Sequence, residues 1–361
     1  MRIAQISPLW ESVPPALYGG TERVVHYLTE ELVRRGHEVV LFASGDSNSS
    51  AELQSCVPKA LRLASRPGDP LIHEIIQLDQ VIDQCDRFDI LHFHTGPIHL
   101  PAAARLPVPF LNTIHGALTD PDQVALYKHF HQVPLVSISN AQRRPIPDAH
   151  WLGTVYHGLP ADLYRSCSNP EPYLAFVGRV SPEKRLDRAI AIAMAVGLPL
   201  RVAAKVDRAD QKYWHSVIEP LVRDNPLVSF IGEVDDAGKQ ELLGNALALL
   251  FPIDWEEPFG LVMIEANACG TPVIAWRQGS TPEIIDHGIN GWLVESIAEA
   301  VAAVAAIEKL DRSRVRAHFE VRFTAARQAE EYEQLYRHLI QAHRSTPNGA
   351  APSVATLLHA A

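Results

Sequence analysis

Two acidic residues, Glu257 and Glu265, stand in an otherwise apolar stretch, EPFGLVMIEANACGTPVIA, with Glu256 just before it. A carboxylate removed from water costs several kcal/mol unless a partner compensates its charge, so such a stretch needs a reason for its acids. Pro258 and Gly260 predict a helix start, which places Glu265 about 7.5 Å further along the axis. Carboxylates spaced in this way can accept hydrogen bonds from hydroxyl groups on two separate rings.

The predicted helix start adds an anion-binding element to the two carboxylates. The first N–H groups of a helix have no partner within it and point outward along the helix axis. Four backbone N–H groups are therefore expected to face an incoming ligand, those of Phe259, Gly260, Leu261 and Val262.

Two cations precede this stretch, in FVGRVSPEKRLDRAI. Arg179 follows a predicted strand and Lys184 approaches a predicted helix, with a turn-forming Ser-Pro between them. Together they suit a diphosphate, because arginine forks onto phosphate oxygens and lysine adds a mobile point charge. The alternative is that both are solvated surface charges.

A glycine pair, Gly19 and Gly20 in LYGGTERVV, lies between the first predicted strand and the first predicted helix. Parallel sheets bind ligands at the carboxyl ends of their strands, and glycines allow the backbone to approach an anion closely. The alternative is a tight turn. The G-x-G-x-x-G pattern of dinucleotide binding is absent, which disfavours a nicotinamide oxidoreductase.

Strand-like and helix-like segments alternate along nearly the whole chain, which predicts an α/β protein with parallel sheets. The strands of the first half include RIAQIS, HEVVLFAS, DILHFHT, VPFLNTIHG, PLVSIS and TVYHG. The pattern restarts at YLAFVGRV, so we predict two Rossmann-like domains joined near residues 161–172. A last helix from about Thr324 carries an apolar stripe that must pack on another element. The tail beyond it is expected to be poorly ordered, although VATLLHAA could add a helical turn.

Length and composition set the outer limits. The chain has 361 residues, 47% of them hydrophobic, and a net charge of −10, so a nucleic-acid-binding surface is disfavoured. No apolar run reaches the roughly 18 residues of a transmembrane helix, and the N-terminus does not resemble a secretory signal. The four cysteines are scattered and predict reduced thiols. A cytoplasmic protein is expected.

Four motifs together resemble the retaining glycosyltransferases of family 4, which have the GT-B fold. The motifs are GGTERVVHYLTEELVRRGHEV, GRVSPEK, EPFGLVMIEANACGTPVIA with its E-x7-E pair, and GSTPEIIDHGINGWLV. The resemblance covers about residues 1–340. It implies two Rossmann-like domains whose parallel sheets face each other across a cleft, with a C-terminal helix crossing back to the N-terminal domain. The expected boundaries are 1–163 for an acceptor-binding domain, 172–323 for a sugar-nucleotide-binding domain and 324–344 for the helix.

The resemblance also assigns roles. Arg179 and Lys184 would bind the donor diphosphate, Glu257 the donor sugar and Glu265 the nucleotide ribose. The base would lie near FIGEV, read by groups around Gly232 and Glu233. Lys205, in AAKVD, is a further candidate cation near the phosphates.

Histidines mark the first half of the chain. His115, in NTIHG, matches the family histidine that reaches the donor sugar, although a lone histidine at a strand end is often only a structural hydrogen-bonding group. His92, His94 and His99, in LHFHTGPIH, resemble metal ligands at first sight. Because the family needs no metal, polar lining on the acceptor side is preferred, with His94 as its candidate. Ser139 and Asn140, in SISNAQR, are expected to line the same side.

The function expected from the resemblance is transfer of a hexose from a nucleotide-diphosphate sugar, UDP-glucose or similar, to a hydroxyl acceptor that is a small molecule, a glycan or a lipid-linked group. No metal and no cofactor are expected, and same-face displacement would retain the anomeric configuration. The loops at about 46–72 and 116–132 are expected to select the acceptor. A sugar-nucleotide epimerase and a non-catalytic sugar-nucleotide-binding protein are the alternatives, and turnover with an acceptor separates both from a transferase.

Overall fold

The computed structural model describes residues 1–17, 19–64, 69–103 and 105–345. The chain forms two compact units. The first combines Met1–Gly158 with the chain from Ala325 onward, and the second is Leu159–Thr324. The expectations for the tail, including VATLLHAA, concern residues outside the described ranges.

The first unit is built on a seven-stranded parallel sheet in the order β3-β2-β1-β4-β5-β6-β7. Its strands are β1 (Arg2–Ile6), β2 (Glu38–Phe42), β3 (Glu52–Gln54), β4 (Ile90–Phe93), β5 (Phe110–Thr113), β6 (Leu135–Ser137) and β7 (Trp151–Thr154). Its helices up to Gly158 are α1 (Gly20–Arg34), α2 (Pro70–Asp83), α3 (Leu100–Ala103), α4 (Pro121–His129) and α5 (Asn140–Arg143).

The second unit contains a six-stranded parallel sheet in the order β10-β9-β8-β11-β12-β13. Its strands are β8 (Leu174–Arg179), β9 (Leu200–Lys205), β10 (Val228–Gly232), β11 (Ala248–Phe251), β12 (Val273–Trp276) and β13 (Gly291–Val294). Its helices are α6 (Leu186–Val196), α7 (Gln211–Tyr213), α8 (Glu219–Val222), α9 (Asp236–Gly244), α10 (Leu261–Ala268), α11 (Thr281–Ile284), α12 (Ile297–Ala305) and α13 (Arg312–Arg322).

Each sheet changes the direction of its strand order once, between β1 and β4 in the first and between β8 and β11 in the second. Since all strands of a sheet are parallel, their carboxyl ends lie along one edge, and ligands of open α/β sheets bind there at the change of order. Arg179, Lys205 and Gly232 are the last residues of β8, β9 and β10. His94 directly follows β4. The sequence motifs therefore cluster at the expected edges.

The last helix, α14 (Ala325–Ser345), belongs to the first unit. Ala329, Tyr332, Tyr336 and Leu339 form its buried stripe and pack with Ile3 and Leu28 in one hydrophobic core. Their spacing of three or four residues is what one buried helix face requires.

An ion-pair cluster fastens the same helix to α1 and to the turn before β2. Glu333 of α14 accepts hydrogen bonds from Arg35 at 2.5 Å and from His37 at 3.0 Å. Although partial burial acts to raise it, these hydrogen bonds hold the pKa of Glu333 at about 2. The carboxylate therefore stays charged and paired at neutral pH.

The predicted architecture is confirmed: the chain is an α/β protein with two parallel-sheet Rossmann-like units, and its C-terminal helix returns to the first unit. One strand is shifted, because β7 covers Trp151–Thr154 rather than TVYHG. Gly153 lies inside that strand, and glycine argues against a strand in a sequence pattern. Among the described residues, no helix combines the length and apolarity needed to cross a membrane.

Candidate active site

Glu257 lies in the loop after β11 and is only 7% exposed. Its carboxylate forms an ion pair with Nζ of Lys184, and Nε1 of Trp255 donates to it at 3.0 Å. The same ammonium group lies 4.8 Å from the ring centroid of Trp255 and 5.6 Å from that of Phe251. The two aromatic rings thus confine Lys184 beside the carboxylate, and the pair compensates the burial of both charges.

Gly279 and Ser280, the first residues of the fourth motif, hold the backbone of Glu257 in place. Gly279 has a φ of +56°, and a Cβ atom there would lie 2.4 Å from the backbone nitrogen of Glu257. Only glycine allows this approach. The backbone N–H of Ser280 then donates to the carbonyl of Glu257 at 2.9 Å, and its hydroxyl donates to the carbonyl of Phe259 at 2.8 Å. The loop therefore fixes the backbone on both sides of Pro258.

Glu265, inside α10, is 2% exposed and pairs with Nζ of Lys239 at 2.7 Å. Lys239 comes from α9 and was not singled out in the sequence. Its position next to the acid depends on how two helices pack, which no local pattern records. Glu256, by contrast, is exposed and accepts from Gln278. The buried acids of the apolar stretch are thus each compensated by a lysine from elsewhere in the second unit.

Arg179 is surrounded by carboxylates. Its guanidinium lies 2.5 Å from Glu183, 3.3 Å from Asp210 and 4.0 Å from Asp207. Burial, with the nearby charges of Glu183 and Asp207, raises the pKa of Asp210, while Arg179 acts against this rise. Lys205 pairs with the same Asp207 at 3.1 Å. A phosphate approaching Arg179 would have to exchange with these carboxylates.

Helix α10 begins as predicted, at the end of the loop that carries Glu257. Gly260 is its N-cap residue, with a φ of +84°, and Leu261 and Val262 form its first turn. No side chain caps the helix. Phe259 is buried and packs edge-on against Phe323 at 6.2 Å, which anchors the loop. The first N–H groups of α10 therefore remain those expected to face an anion.

The predicted base-reading residues follow β10. Gly232 ends the strand with a φ of +79°, at a break in its register with β9. Glu233 is exposed. The positive φ favours glycine at this turn, which directs the chain from the sheet edge toward α9 and Lys239.

In the first unit, Gly19 is the N-cap residue of α1 and has a φ of +149°. A Cβ atom on Gly19 would lie 2.7 Å from that of Pro15, so the backbone at Gly19 packs against Pro15 more closely than any larger residue allows. Gly20 is the first helical residue. Glu22, in the first turn of α1, is buried, and burial is the main cause that raises its pKa to about 7. No sequence pattern pointed to this acid.

Four histidine rings of the first unit form a cluster. Nδ1 of His94 lies 2.9 Å from Nε2 of His115, and Nε2 of His94 lies 2.7 Å from the amide oxygen of Gln5. His115 stacks on His157 with a centroid distance of 5.3 Å, and His92 lies 3.8 Å from His94. Both ring nitrogens of His94 are thus used within the protein, which argues against the predicted role of His94 in lining an acceptor site.

The other two acceptor-side candidates differ in exposure. Ser139 is fully buried, and its hydroxyl caps α5 by accepting from the N–H of Gln142 at 3.1 Å. Its side chain therefore serves the fold. Asn140 is exposed and contacts Thr154 and Tyr156, so its place at the sheet edge still suits a ligand contact. His99 stacks on Phe93 at 4.0 Å, away from any group of metal ligands. Across the described ranges, three or more His, Cys, Asp or Glu side chains do not come together as a metal site.

Comparison with known proteins gives matches along most of the chain. The model of glycosyl transferases group 1 matches residues 165–324, and that of glycosyltransferase family 4 matches residues 18–167. A glycogen synthase of Mycobacterium tuberculosis is 27% identical over 85% of this chain and 84% of its own. A D-inositol 3-phosphate glycosyltransferase of Mycolicibacterium smegmatis is 22% identical over 91% of this chain and 88% of its own.

Solved structures agree with these matches. AviGT4, a glycosyltransferase involved in avilamycin A biosynthesis, is 26% identical with a TM-score of 0.70, over 94% of this chain and 98% of its own. HepE of Anabaena, solved with UDP and glucose, is 17% identical with a TM-score of 0.73, over 94% of this chain and 100% of its own. The likeness to HepE concerns the fold. The two family matches overlap at residues 165–167, close to the Gly158–Leu159 junction of the two units.

Proposed function

We propose that this chain transfers a hexose from a nucleotide-diphosphate sugar to a hydroxyl acceptor, with retention of configuration and without a metal. The premise is that the chain belongs to the group 1 glycosyltransferases of family 4 and is an enzyme of the hexosyltransferase type. The observation that carries the proposal is that each of the two buried glutamates is paired with a partly buried lysine, in the contacts Lys184–Glu257 and Lys239–Glu265. Both flank the start of α10 at the carboxyl edge of the second sheet.

The diphosphate is assigned to Arg179, Lys184 and the start of α10, with Lys205 as a further cation. Breaking the bond between the sugar and the diphosphate leaves negative charge on the terminal phosphate oxygen. Cations and helix N–H groups stabilise a charge that grows in the transition state, and this lowers the barrier. A phosphate oxygen replaces a carboxylate as partner of Arg179 and Lys205, whereas Lys184 keeps Glu257 and uses another of its three N–H donors for the phosphate. The existing ion pairs thus preorganise the cations without a net buried charge.

The sugar and the ribose are assigned to the two buried acids. Glu257 accepts from hydroxyl groups of the donor sugar, and Glu265 accepts from those of the ribose, each keeping its lysine as a second partner. Backbone groups around Gly232 and Glu233 read the base. UDP-glucose or a close relative is the proposed donor, supported by the UDP and glucose named for the HepE structure, which has the same fold.

Retention of the anomeric configuration follows from the ion pairs in which Glu257 and Glu265 are already engaged. A carboxylate that accepts from an ammonium group is a weaker nucleophile and a weaker base than a free one. Glu257 and Glu265 are both engaged in this way, so we assign neither to attack on the far face of the sugar. The leaving phosphate itself then takes the acceptor proton while the new bond forms on the same face.

The acceptor is a hydroxyl group on a small molecule, a glycan or a lipid-linked molecule, selected by the loops at 46–72 and 116–132. We place the enzyme in the cytoplasm, because its four cysteines are free thiols and such thiols suit a reducing compartment.

A thermal-shift screen over nucleoside diphosphates and sugar nucleotides tests the donor assignment. A ligand present at 100 times its Kd stabilises the native state by about 2.7 kcal/mol, which shifts the melting temperature measurably. We expect a nucleoside diphosphate and its hexose conjugate to raise Tm, and nicotinamide dinucleotides to leave it unchanged. Failure of every sugar nucleotide to shift Tm would contradict the proposal.

Substitution of the two buried acids separates their roles. Glu265→Gln is expected to weaken binding of the bare nucleoside diphosphate by about tenfold, the scale of one charged hydrogen bond. Glu257→Gln is expected to leave that binding intact and to weaken binding and turnover of the sugar nucleotide. Isothermal titration calorimetry measures both, with the exposed neighbour Glu256→Gln as the matched control. The reverse pattern would show that the two acids have been assigned the wrong way round.

Metal independence and retention are tested on the reaction itself. Transfer is expected to continue at an unchanged rate in excess EDTA, because Arg179 and Lys184 supply the positive charge that a metal otherwise brings. The anomeric coupling constant in early proton NMR spectra of the product is expected to match that of the donor. Activity lost on chelation and restored by magnesium or manganese, or an inverted product, would each overturn this part of the proposal.

A further inference from the structure

We propose that Gln5 acts through His94 as a positioning residue that fixes His115 in the tautomer with its proton on Nε2 and a lone pair on Nδ1. The three side chains form an unbroken hydrogen-bonded chain within the first unit, in which the distances are 2.7 Å between Gln5 and His94 and 2.9 Å between His94 and His115. Gln5 is the last residue but one of β1 and is fully buried.

The chain starts from the amide of Gln5, whose two ends differ. Its nitrogen donates to the hydroxyl of Tyr336 at 3.0 Å, so its oxygen faces His94. That hydroxyl also lies 2.6 Å from Nδ1 of His92, and which of these two atoms donates depends on the tautomer of His92. An amide oxygen can only accept, and Nε2 of His94 must therefore carry a proton.

The proton on Nε2 of His94 determines the next ring. A neutral imidazole has one N–H and one lone pair, so Nδ1 of His94 is an acceptor. The nitrogen facing it, Nε2 of His115, must donate. This leaves Nδ1 of His115 without a proton, and within the described ranges this buried atom has no hydrogen-bond partner. Buried unpaired N–H groups are rarer than unpaired acceptors, which agrees with a lone pair at that position.

The rings stay neutral because charging any of them is costly. Burial lowers the pKa of His92, His94 and His157 well below the usual value, and the neighbouring rings lower each of them further. Burial lowers the pKa of His115 as well. At neutral pH the four rings therefore stay neutral, and their hydrogen-bond partners determine which tautomer each ring adopts.

The consequence for catalysis rests on the proposed function. A neutral His115 carries a lone pair on Nδ1, so this atom can accept a hydrogen bond but cannot donate one, and the ring adds no positive charge. The opposite tautomer would present a donor instead. Gln5 thus selects the kind of hydrogen bond that His115 offers, although Gln5 itself has no ring and no charge.

Nitrogen NMR reads the tautomer directly. In a long-range proton–nitrogen correlation spectrum of the full-length, ¹⁵N-labelled protein at pH 7, a ring nitrogen without a proton resonates far downfield of a protonated one. We expect the His115 signals, identified by their absence in His115→Asn, to show an unprotonated Nδ1 and a protonated Nε2. A protonated Nδ1 in the wild-type protein would overturn the proposal without the need for any variant.

Gln5→Met tests the positioning role, since methionine keeps the volume of glutamine and removes its hydrogen bonds. The variant is expected to show His115 signals averaged between tautomers. The matched control is Gln77→Met, which removes another buried amide of the same unit, one that donates to the carbonyls of Ser7 and Phe42. A single unchanged His115 tautomer in Gln5→Met would also overturn the proposal.

A kinetic measurement adds a second readout. Gln5→Met is expected to lower kcat for donor hydrolysis or transfer by about 10- to 100-fold, the scale known for partners that orient metal-bound histidines, with the donor KM changed little. A change confined to KM would contradict the positioning role. The spectrum needs no substrate, so the predicted tautomer in a protein without transferase activity would count against the proposed function and leave this inference standing.

Discussion

Lys184→Ala is expected to lower kcat/KM for glycosyl transfer by at least about 100-fold, the scale for loss of one charge-stabilising contact in a transition state. The ammonium group is confined by Glu257, Trp255 and Phe251, so it has little freedom to be replaced by a neighbouring cation. Arg179→Ala is expected to have a loss of the same order. Steady-state kinetics with the donor found by the thermal-shift screen measure both.

The control addresses a second effect of the same substitution. Removing Lys184 leaves the buried carboxylate of Glu257 without its cation, which lowers stability independently of catalysis. Lys184→Ala combined with Glu257→Gln removes the unpaired charge, and it is expected to recover stability without recovering activity. Lys212→Ala, at an exposed lysine of α7, is expected to change neither. Near-normal activity of both Lys184→Ala and Arg179→Ala would refute the diphosphate assignment.

Truncation after Thr324 is expected to prevent the first unit from folding, whereas truncation after Ser345 is expected to leave the melting temperature unchanged. The shorter chain loses α14, with the buried Tyr332, Tyr336 and Leu339. Each such side chain contributes about 1.5–3 kcal/mol by burial, so their combined loss reaches the whole stability of a typical domain, about 5–15 kcal/mol. Calorimetry and binding of a dye for exposed apolar surface measure the outcome.

A more local substitution separates loss of this packing from general damage to the chain end. Leu339→Ala removes one buried side chain of the stripe, whereas Val321→Ala removes an apolar side chain that is 76% exposed, at the end of α13. The first is expected to lower Tm by several degrees and the second to leave it nearly unchanged. Equal melting temperatures for the truncations after Thr324 and after Ser345 would show that α14 does not complete the first core.

The fold was predictable because its elements carry periodic apolar patterns of their own. The apolar stripe of α14 already required a partner surface, and the alternation of strands and helices already required parallel sheets. The boundaries of β7 were not predictable in the same way, because Gly153 weakens the local strand pattern even though the segment pairs with β6. Pairing with a neighbour overrode local propensity there.

The candidate site was predictable to the level of its charged motifs and no further. Arg179, Lys184 and the two buried acids follow from local spacing, because each lies at a strand end or a helix start. Lys239 did not follow, since it reaches Glu265 only through the packing of α9 on α10. Gln5 likewise looks like any polar residue in a strand until β4 brings His94 beside it.

The position of α14 in the chain also dictates an order of events during synthesis. The first 158 residues form most of the first unit, but its hydrophobic core is incomplete until Ala325–Ser345 has been synthesised. At about 5–20 residues per second, a ribosome needs on the order of 10–30 s to add the intervening Leu159–Thr324. During that interval the nascent first unit presents the apolar surface around Ile3 and Leu28 to the cell, while the second unit, which is continuous in sequence, is free to fold first. The second unit, in the middle of the chain, is therefore able to fold before the first unit is complete. A chaperone that covers the apolar surface of the first unit would bind a chain that is still attached to the ribosome.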